Sequence, residues 1–265
     1  MFHFRTQGAF TYLQSDAMNR LGFVTHAFCT RMGGTSPAPY ESLNISARHG
    51  DRPENIRRNR EIIAAAFGFS ADRLILAHQV HGDAFHLLTA QSPLPSHLLE
   101  GDGFMTERPG VVICVKTADC VPVLLVDGKK KIVAAVHAGW RGTAMDIAGK
   151  AVRLFREHFA SAPEDLWAAI GPAIGSCCYE VDEKVRREFL AYPEGQSHLK
   201  AVANKSRWML DLALTNRLQM EAAGVPTGQI DIAGLCTSCR RDTFFSHRGE
   251  GERTGRQLNF VMIRE

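Results

Sequence analysis

Apolar positions along this chain fall into short runs separated by turn residues, with only a few segments of helical period. Phe23–Thr30, Leu74–Ala77, Ala84–Thr89, Val111–Lys116, Val121–Val126, Ile132–Val136, Leu166–Ile170, Gln229–Ala233 and Leu258–Ile263 each read as strands. Helical patterns cover Arg52–Phe67, a segment opening at Gly139 and running to about Phe159, Val181–Leu190 and Met209–Ala223. Asp51 with Glu54 makes a capping box for the first helix, Pro53 suits its first turn, and Gly68 stops it. Its arginines, Arg52, Arg57, Arg58 and Arg60, read as a solvated face. Gln91–Leu99 is a Pro-containing surface loop, and Gly101-Asp102-Gly103 is a turn into the next strand. Direct hairpins mixed with helix–strand alternation predict an α+β arrangement of mixed sheets with helices outside, and no linker divides residues 1–265.

The chain is organised around Thr117–Thr143, TADCVPVLLVDGKKKIVAAVHAGWRGT. Two apolar strands flank the turn signal Asp127-Gly128, so the residue opening the first strand meets the residue closing the second. That brings Cys120 beside His137. A thiol and an imidazole at a sheet rim are two metal ligands or a nucleophile with its base, weighed against a buried Cys and a hydrogen-bonded His. In HQVHG, His78 and His81 point to opposite faces of an extended segment, so only one of them is expected to be a direct ligand. Asp119 and His78 are the candidates for orienting the site or moving a proton. Gly139-Trp140-Arg141 starts a helix whose free N–H groups favour an anion. Arg31, at a strand end before Gly33-Gly34, is placed for a fixed guanidinium, and Asn44 and Arg48 lie in loops rich in groups that bind anions or hydroxyls.

Composition narrows the class. Hydrophobic residues make up 45% of the 265 and charged ones 22%, enough for an ample core, and no apolar run reaches the ~20 residues of a membrane span. A net charge of +3 does not suggest a nucleic-acid binder. MFHFRTQGAF lacks a signal-peptide pattern, so a cytoplasmic protein with reduced thiols is expected from its seven cysteines. Cys236-x-x-Cys239 with Cys177-Cys178 reads as two halves of a zinc site, a redox pair, or inert thiols. Arg240, Arg241, Phe244, Phe245, His247, Arg248, Arg253 and Arg256 form a basic aromatic loop able to stack a base and hold phosphate, or a solvated loop. No P-loop or dinucleotide fingerprint appears.

Several of these segments carry a resemblance. HQVHG at 78–82, TADCVPVL at 117–124, VHAGWRGT at 136–143 and IGPAIG at 170–175 resemble the laccase-domain family, which includes the bacterial peptidoglycan editing factor. CTRMGG at 29–34, SLNIS at 42–46, CT at 236–237, FFSHR at 244–248 and TGR at 254–256 fit the same pattern. Gly249, where the family has a second Arg, and Cys239 depart from it. The resemblance implies a single-domain, four-layer α/β/β/α fold with two central mixed sheets. It also implies a metal site of His81, Cys120 and His137.

The same resemblance implies phosphorolysis of adenosine, inosine or methylthioadenosine, with hydrolytic deamination of adenosine. Two imidazoles and a thiolate suit zinc with an open position, and zinc lowers the pKa of bound water to about 7. Arg31, Arg48 and Arg141 are the candidates for phosphate, and Asn44 for ribose hydroxyls. One rival is a Cys-His amidase that removes a wrong amino acid from a peptidoglycan precursor, with Cys120 activated by His137. Another is copper-dependent polyphenol oxidation, which the family's name suggests. The chain has no His-x-His pair, and one three-ligand site does not assemble several coppers. A non-catalytic binding role is the third.

Overall fold

The central hairpin forms where the apolar runs dictate. In the computed structural model of the protein, Val121–Asp127 and Ile132–Ala138 pair antiparallel, from Val121 opposite Ala138 to Asp127 opposite Ile132. Asp127 Oδ1 closes the turn by accepting the N–H groups of Lys129 and Lys130. Every residue of both strands is buried, so both faces of this ribbon require an apolar cover. The structure describes residues 1–91, 93–95, 98–190, 198–203 and 205–265. Ser92, Ser96 and His97 of the Pro-containing segment lie outside them.

The cover is a second sheet on one side and helices on the other. One six-stranded sheet runs 2–7, 10–15, 24–29, 257–263, 112–117, 74–75, and the other runs 230–232, 166–170, 121–127, 132–138, 103–106, 85–88. Both are mixed. Leu74–Ile75 lies parallel to Val112–Thr117, Leu166–Ile170 to Ile230–Ile232, and Phe85–Leu88 to Gly103–Thr106. The two-residue side-chain period divides each strand between two cores. Leu124, Val126, Val133 and Ala135 face Phe28, Ile113, Val115 and Val261 of the other sheet. Val123, Leu125, Ala134 and Val136 face outward onto the helix Ile147–Phe159, through Ala148, Ala151, Val152 and Phe155. On the opposite outer face, Ile63 of the helix Pro53–Ala66 covers Cys29, Cys114, Leu258 and Phe260. The result is the four-layer α/β/β/α arrangement.

Local departures from the sequence reading have physical causes. Phe2–Gln7 and Phe10–Ser15 form an edge hairpin that the pattern does not announce, because Phe2–Gln7 is almost wholly exposed. The helix expected from Gly139 is two, Trp140–Ala144 and Ile147–Phe159, broken where Asp146 takes φ 59°. Trp208–Leu210 is a strand, and the following helix begins at Leu212, capped by the Asp211 carboxylate. No capping box forms at Asp51. Its carboxylate instead accepts from the Arg52 N–H, Asn55 Nδ2 and Asn44 Nδ2.

Gly171 lies where a side chain from one sheet presses on the end of a strand in the other, since a Cβ there would lie 2.1 Å from Cδ1 of the fully buried Phe28. Gly171→Ala is therefore expected to destabilise the protein by about 1–3 kcal/mol through overpacking. Gly228→Ala, with nothing within 4 Å of its Cβ, should leave stability near that of the parent, and paired urea titrations measure the difference.

Candidate active site

The end of the hairpin brings three donor side chains together. Cys120 immediately precedes the first strand, and His137 lies opposite Pro122 on the second. His81 comes from the loop after the short strand Ala77–His78. Their ligand atoms all lie within 4.8 Å of one another, a spacing that can hold a metal ion. The His81 and His137 rings meet edge to face, with centroids 4.9 Å apart. Gly139 lets the backbone pass this close: a Cβ would stand 3.0 Å from His81 Cδ2 and 3.3 Å from Cys120 Sγ. Cys120 is half-buried, His137 buried and His81 exposed, so the group opens to solvent on the His81 side.

One buried carboxylate fixes two of the three. Asp102 Oδ1 accepts the His137 Nδ1–H at 2.7 Å and the His81 backbone N–H at 3.0 Å, and Oδ2 accepts the Gly82 N–H at 2.7 Å. With Nδ1 so engaged, Nε2 of His137 is left for a metal or a proton. His81 sits at φ 60°, a conformation a histidine holds only when its surroundings over-determine it, and the Asp102 clamp does so. The sequence reading assigns this orienting role to Asp119 or His78, and the geometry corrects it. Asp119 accepts from Thr237 Oγ1, Ser246 Oγ and the Arg248 N–H, which ties down the C-terminal loop. His78 lines the cleft and faces Glu100, at 3.3 Å. The two glycines beside Asp102 mark a turn in the sequence but do not disclose its partners. A Cβ on Gly101 would meet His86 Nε2 at 2.8 Å, and one on Gly103 would meet the Phe85 ring at 2.3 Å, so His86 and Phe85 pack against the turn that carries Asp102.

The electrostatics pair the thiol with the imidazole. Burial pushes the Cys120 thiol up, but the neighbouring His137, through its charge and a hydrogen bond, and His81 outweigh it and bring the pKa down to about 6. Burial pushes His137 down, while Cys120 and Asp102 outweigh that and raise it to about 9. At neutral pH the pair is thiolate and imidazolium.

These groups open into a cleft of about 1450 Å³. Arg48, Arg60, Lys116, Arg141, Arg248 and Arg256 give it a cationic lining, and Trp140, Tyr179, Ile174 and Val80 supply apolar wall. Arg48 and Arg141 are thus in the cleft, Arg141 stacked over Trp140 at 4.5 Å. Arg31 and Asn44 are not, because the fold uses them. Arg31 donates to the Glu41 and Arg241 carbonyls and to Glu250, and stacks on Phe245. Asn44 is fully buried, donating to Asp51 and the Ser46 carbonyl and accepting from the Ser46 and Arg256 N–H groups. Phe244 and Phe245 are fully buried as well, so neither stacks a base. Arg60, read as surface, lines the cleft with an Nε that has no hydrogen-bond partner among the described residues. Lys116, which the sequence reading passes over, is held down to about 8 by burial and by Arg60 and Arg48 beside it.

Fold and site together define an enzyme-like cleft at the rim of a four-layer sandwich. The chain belongs to the multi-copper polyphenol oxidoreductase laccase family, whose model matches residues 25–264. A protein named purine nucleoside phosphorylase from Bacteroides thetaiotaomicron is 35% identical over 257 residues, covering 94% of each chain. One of the same name from Deinococcus radiodurans is 40% identical over 88% of this chain and 87% of its own. The crystal structure of YlmD from Geobacillus stearothermophilus superposes with a TM-score of 0.91 at 35% identity, over 99% of both chains. Among the described residues, no helix is long and apolar enough to cross a membrane.

The pairing of Cys120 with His137 has a direct consequence in chelator-treated protein. Thiolate ultraviolet absorbance that is absent from Cys120→Ser should titrate near pH 6, well below an ordinary thiol. Asp102→Asn should move that midpoint upward, because the imidazolium loses its buried counter-charge.

Proposed function

We propose that the cleft binds a purine nucleoside and inorganic phosphate and carries out phosphorolysis, on adenosine, inosine or methylthioadenosine. The observation that carries this reading is the junction of two features in one cleft: the His81–Cys120–His137 group and the cations around Lys116. The names of the similar proteins support it.

Two imidazoles and a thiolate fit zinc, leaving room for an exogenous ligand on the open His81 side. Held by His81, Cys120 and His137, zinc would supply Lewis-acid polarisation of a bound group. Asp102 keeps His137 in one tautomer and orientation for that task. In this reading Arg48, Lys116 and Arg60, which line the same cleft, hold phosphate and neutralise its charge as it approaches C1′ of the ribose. A phosphate oxygen bonds to C1′ as the C1′–N9 bond breaks, and the purine leaves with the bonding electrons and takes up a proton. Trp140 and Tyr179 offer apolar surface for the base. Adenosine deamination in the same cleft, with water adding at C6 and ammonia leaving, is the side activity we assign to it. Polyphenol oxidation fits less well, because the triad offers three ligands and the other metal-compatible cluster among the described residues consists of cysteines alone.

Cys120, His137 and Asp102 favour a second reading. They line up as nucleophile, base and orienting carboxylate, the arrangement of a cysteine amidase acting on a peptidoglycan precursor. Metal content separates the two. One zinc per chain fewer in Cys120→Ala than in the parent, lost together with phosphate-dependent adenine release, supports phosphorolysis. Zinc content that Cys120→Ala leaves unchanged, in protein inert on nucleosides yet inactivated on a cell-wall precursor by thiol alkylation, supports the amidase.

Phosphate dependence tests the cation cluster. Lys116 is charged below about pH 8 and neutral above it, so the apparent KM for phosphate should rise as pH passes through 8. Inorganic phosphate is already a dianion there, so its own ionisation does not produce the effect. Lys116→Met should raise that KM roughly 10- to 100-fold at pH 7 and flatten its rise near pH 8, the size expected for one charge-assisted contact. A KM for phosphate unchanged in Lys116→Met and in Arg48→Ala would remove the phosphate role from this cluster.

A further inference from the structure

We propose that Cys177, Cys178, Cys236 and Cys239 bind a second zinc ion, in a closed four-thiolate site that fastens two loops of the cleft wall. The four sulfurs lie within 4.8 Å of one another, and no other residue type contributes to the cluster. A tetrahedral Zn–S shell, with bonds of about 2.3 Å, spaces its sulfurs roughly 3.8 Å apart. Cys239 Sγ is 3.5 Å from Cys177 Sγ and 3.4 Å from Cys178 Sγ. One sulfur nearly equidistant from two others is the arrangement of a coordination shell, whereas a disulfide would single out one partner.

The backbone prepares the site as well. Cys177 and Cys178 sit in a turn closed by the Cys178 and Tyr179 N–H groups donating to the Gly175 carbonyl. That curvature allows adjacent side chains to face one point, which an extended segment would forbid. Cys236 and Cys239 sit in a second turn, closed by the Arg240 N–H donating to the Cys236 carbonyl. Cys236 Sγ accepts the Gly175 N–H at 3.2 Å and also the Cys239 N–H, so the sulfur is solvated as a thiolate needs to be. Gly175 has little room for a side chain, since a Cβ would meet Cys177 Sγ and Cys236 Cβ at 3.3 Å.

Four protein ligands fill the zinc shell and leave no position for substrate, so the role is structural. Both turns belong to the cleft. Tyr179, directly after Cys178, lines it beneath the Arg248 guanidinium, 5.1 Å above the ring. Thr237, directly after Cys236, donates to Asp119, the neighbour of Cys120. Locking the turns together fixes the wall that Tyr179 and Asp119 share.

The test uses the full chain, grown with zinc and purified under reductant, beside Cys120→Ser, which removes a ligand from the triad. Cys120→Ser should retain about one zinc per chain after chelator dialysis. Cobalt exchanged into it should show the intense thiolate-to-cobalt charge transfer of a four-thiolate tetrahedral shell. Cys239→Ser should lose that spectrum. With near-ultraviolet circular dichroism showing the fold intact, trypsin should also cut faster at the exposed Arg240 and Arg241. The proposal is overturned if Cys120→Ser carries no zinc while Cys177, Cys178, Cys236 and Cys239 all titrate freely; Cys29 and Cys114 are buried in the core and do not report. It is overturned equally if peptide mapping finds Cys239 disulfide-linked to Cys177 or Cys178. Neither result depends on which reaction the cleft performs.

Discussion

The buried carboxylate of Asp102 is the constraint on which the rest of the site depends. It is almost inaccessible to water, and burial alone would push its pKa upward. The hydrogen bond and charge of His137, with the Gly82 and His81 N–H groups, reverse that and hold it below the ordinary carboxylate range. Its backbone carbonyl accepts the His137 N–H at 2.7 Å, so main chain and side chain grip the same residue. A buried anion with partners on two chain segments resists being left with either alone, because each orphaned contact would cost about 1–3 kcal/mol. The loop carrying His81 and the strand carrying His137 therefore cannot separate without exposing that penalty. Neutralising Asp102 would loosen the site before it loosened the sheets.

Cys120 is held from the other direction. Its neighbour Asp119 takes φ 91°, which a non-glycine residue tolerates only when its hydrogen bonds over-determine it. Those bonds come from Thr237, Ser246 and Arg248, on the loop that closes the far wall. Ile174 donates its N–H to the Asp119 carbonyl, which adds the segment after Leu166–Ile170. The thiol thus stands between two carboxylates, Asp102 acting through His137 and Asp119 through the backbone.

How far the sequence discloses this depends on the range of the interaction. Val121–Asp127 and Ile132–Ala138 are legible because both faces are buried and the turn signal lies between them, and that local geometry brings Cys120 beside His137. His81 is reached only through the family resemblance, since nothing local says which histidine of HQVHG turns inward. Asp102 reads as an ordinary turn residue, because its partners His81 and His137 are distant in the chain. Arg31 and Asn44 fail as substrate groups for the complementary reason. Buried polar side chains must be satisfied, and their partners, Glu250 and Arg256 among them, sit at the far end of the sequence. A polar residue in a loop announces a need for partners, and only the fold decides whether protein or substrate meets it.

The same reasoning distinguishes the cations. Arg31 has its charge met by Glu250 and its donors met by carbonyls, so it has little left to offer an anion. Lys116 is placed differently. Its ammonium donates to the Ala77 carbonyl, a neutral partner, while Arg60, Arg48 and Arg256 all raise the cost of its charge. Like charges gathered beside one another in a half-enclosed cleft are unfavourable for the empty protein and become favourable when a dianion enters. The energy stored as mutual repulsion among these side chains is released on anion binding. An arginine already paired, as Arg31 is with Glu250, has none to release, and that difference favours the cleft over the conspicuous strand-end Arg31 as the place to bind an anion.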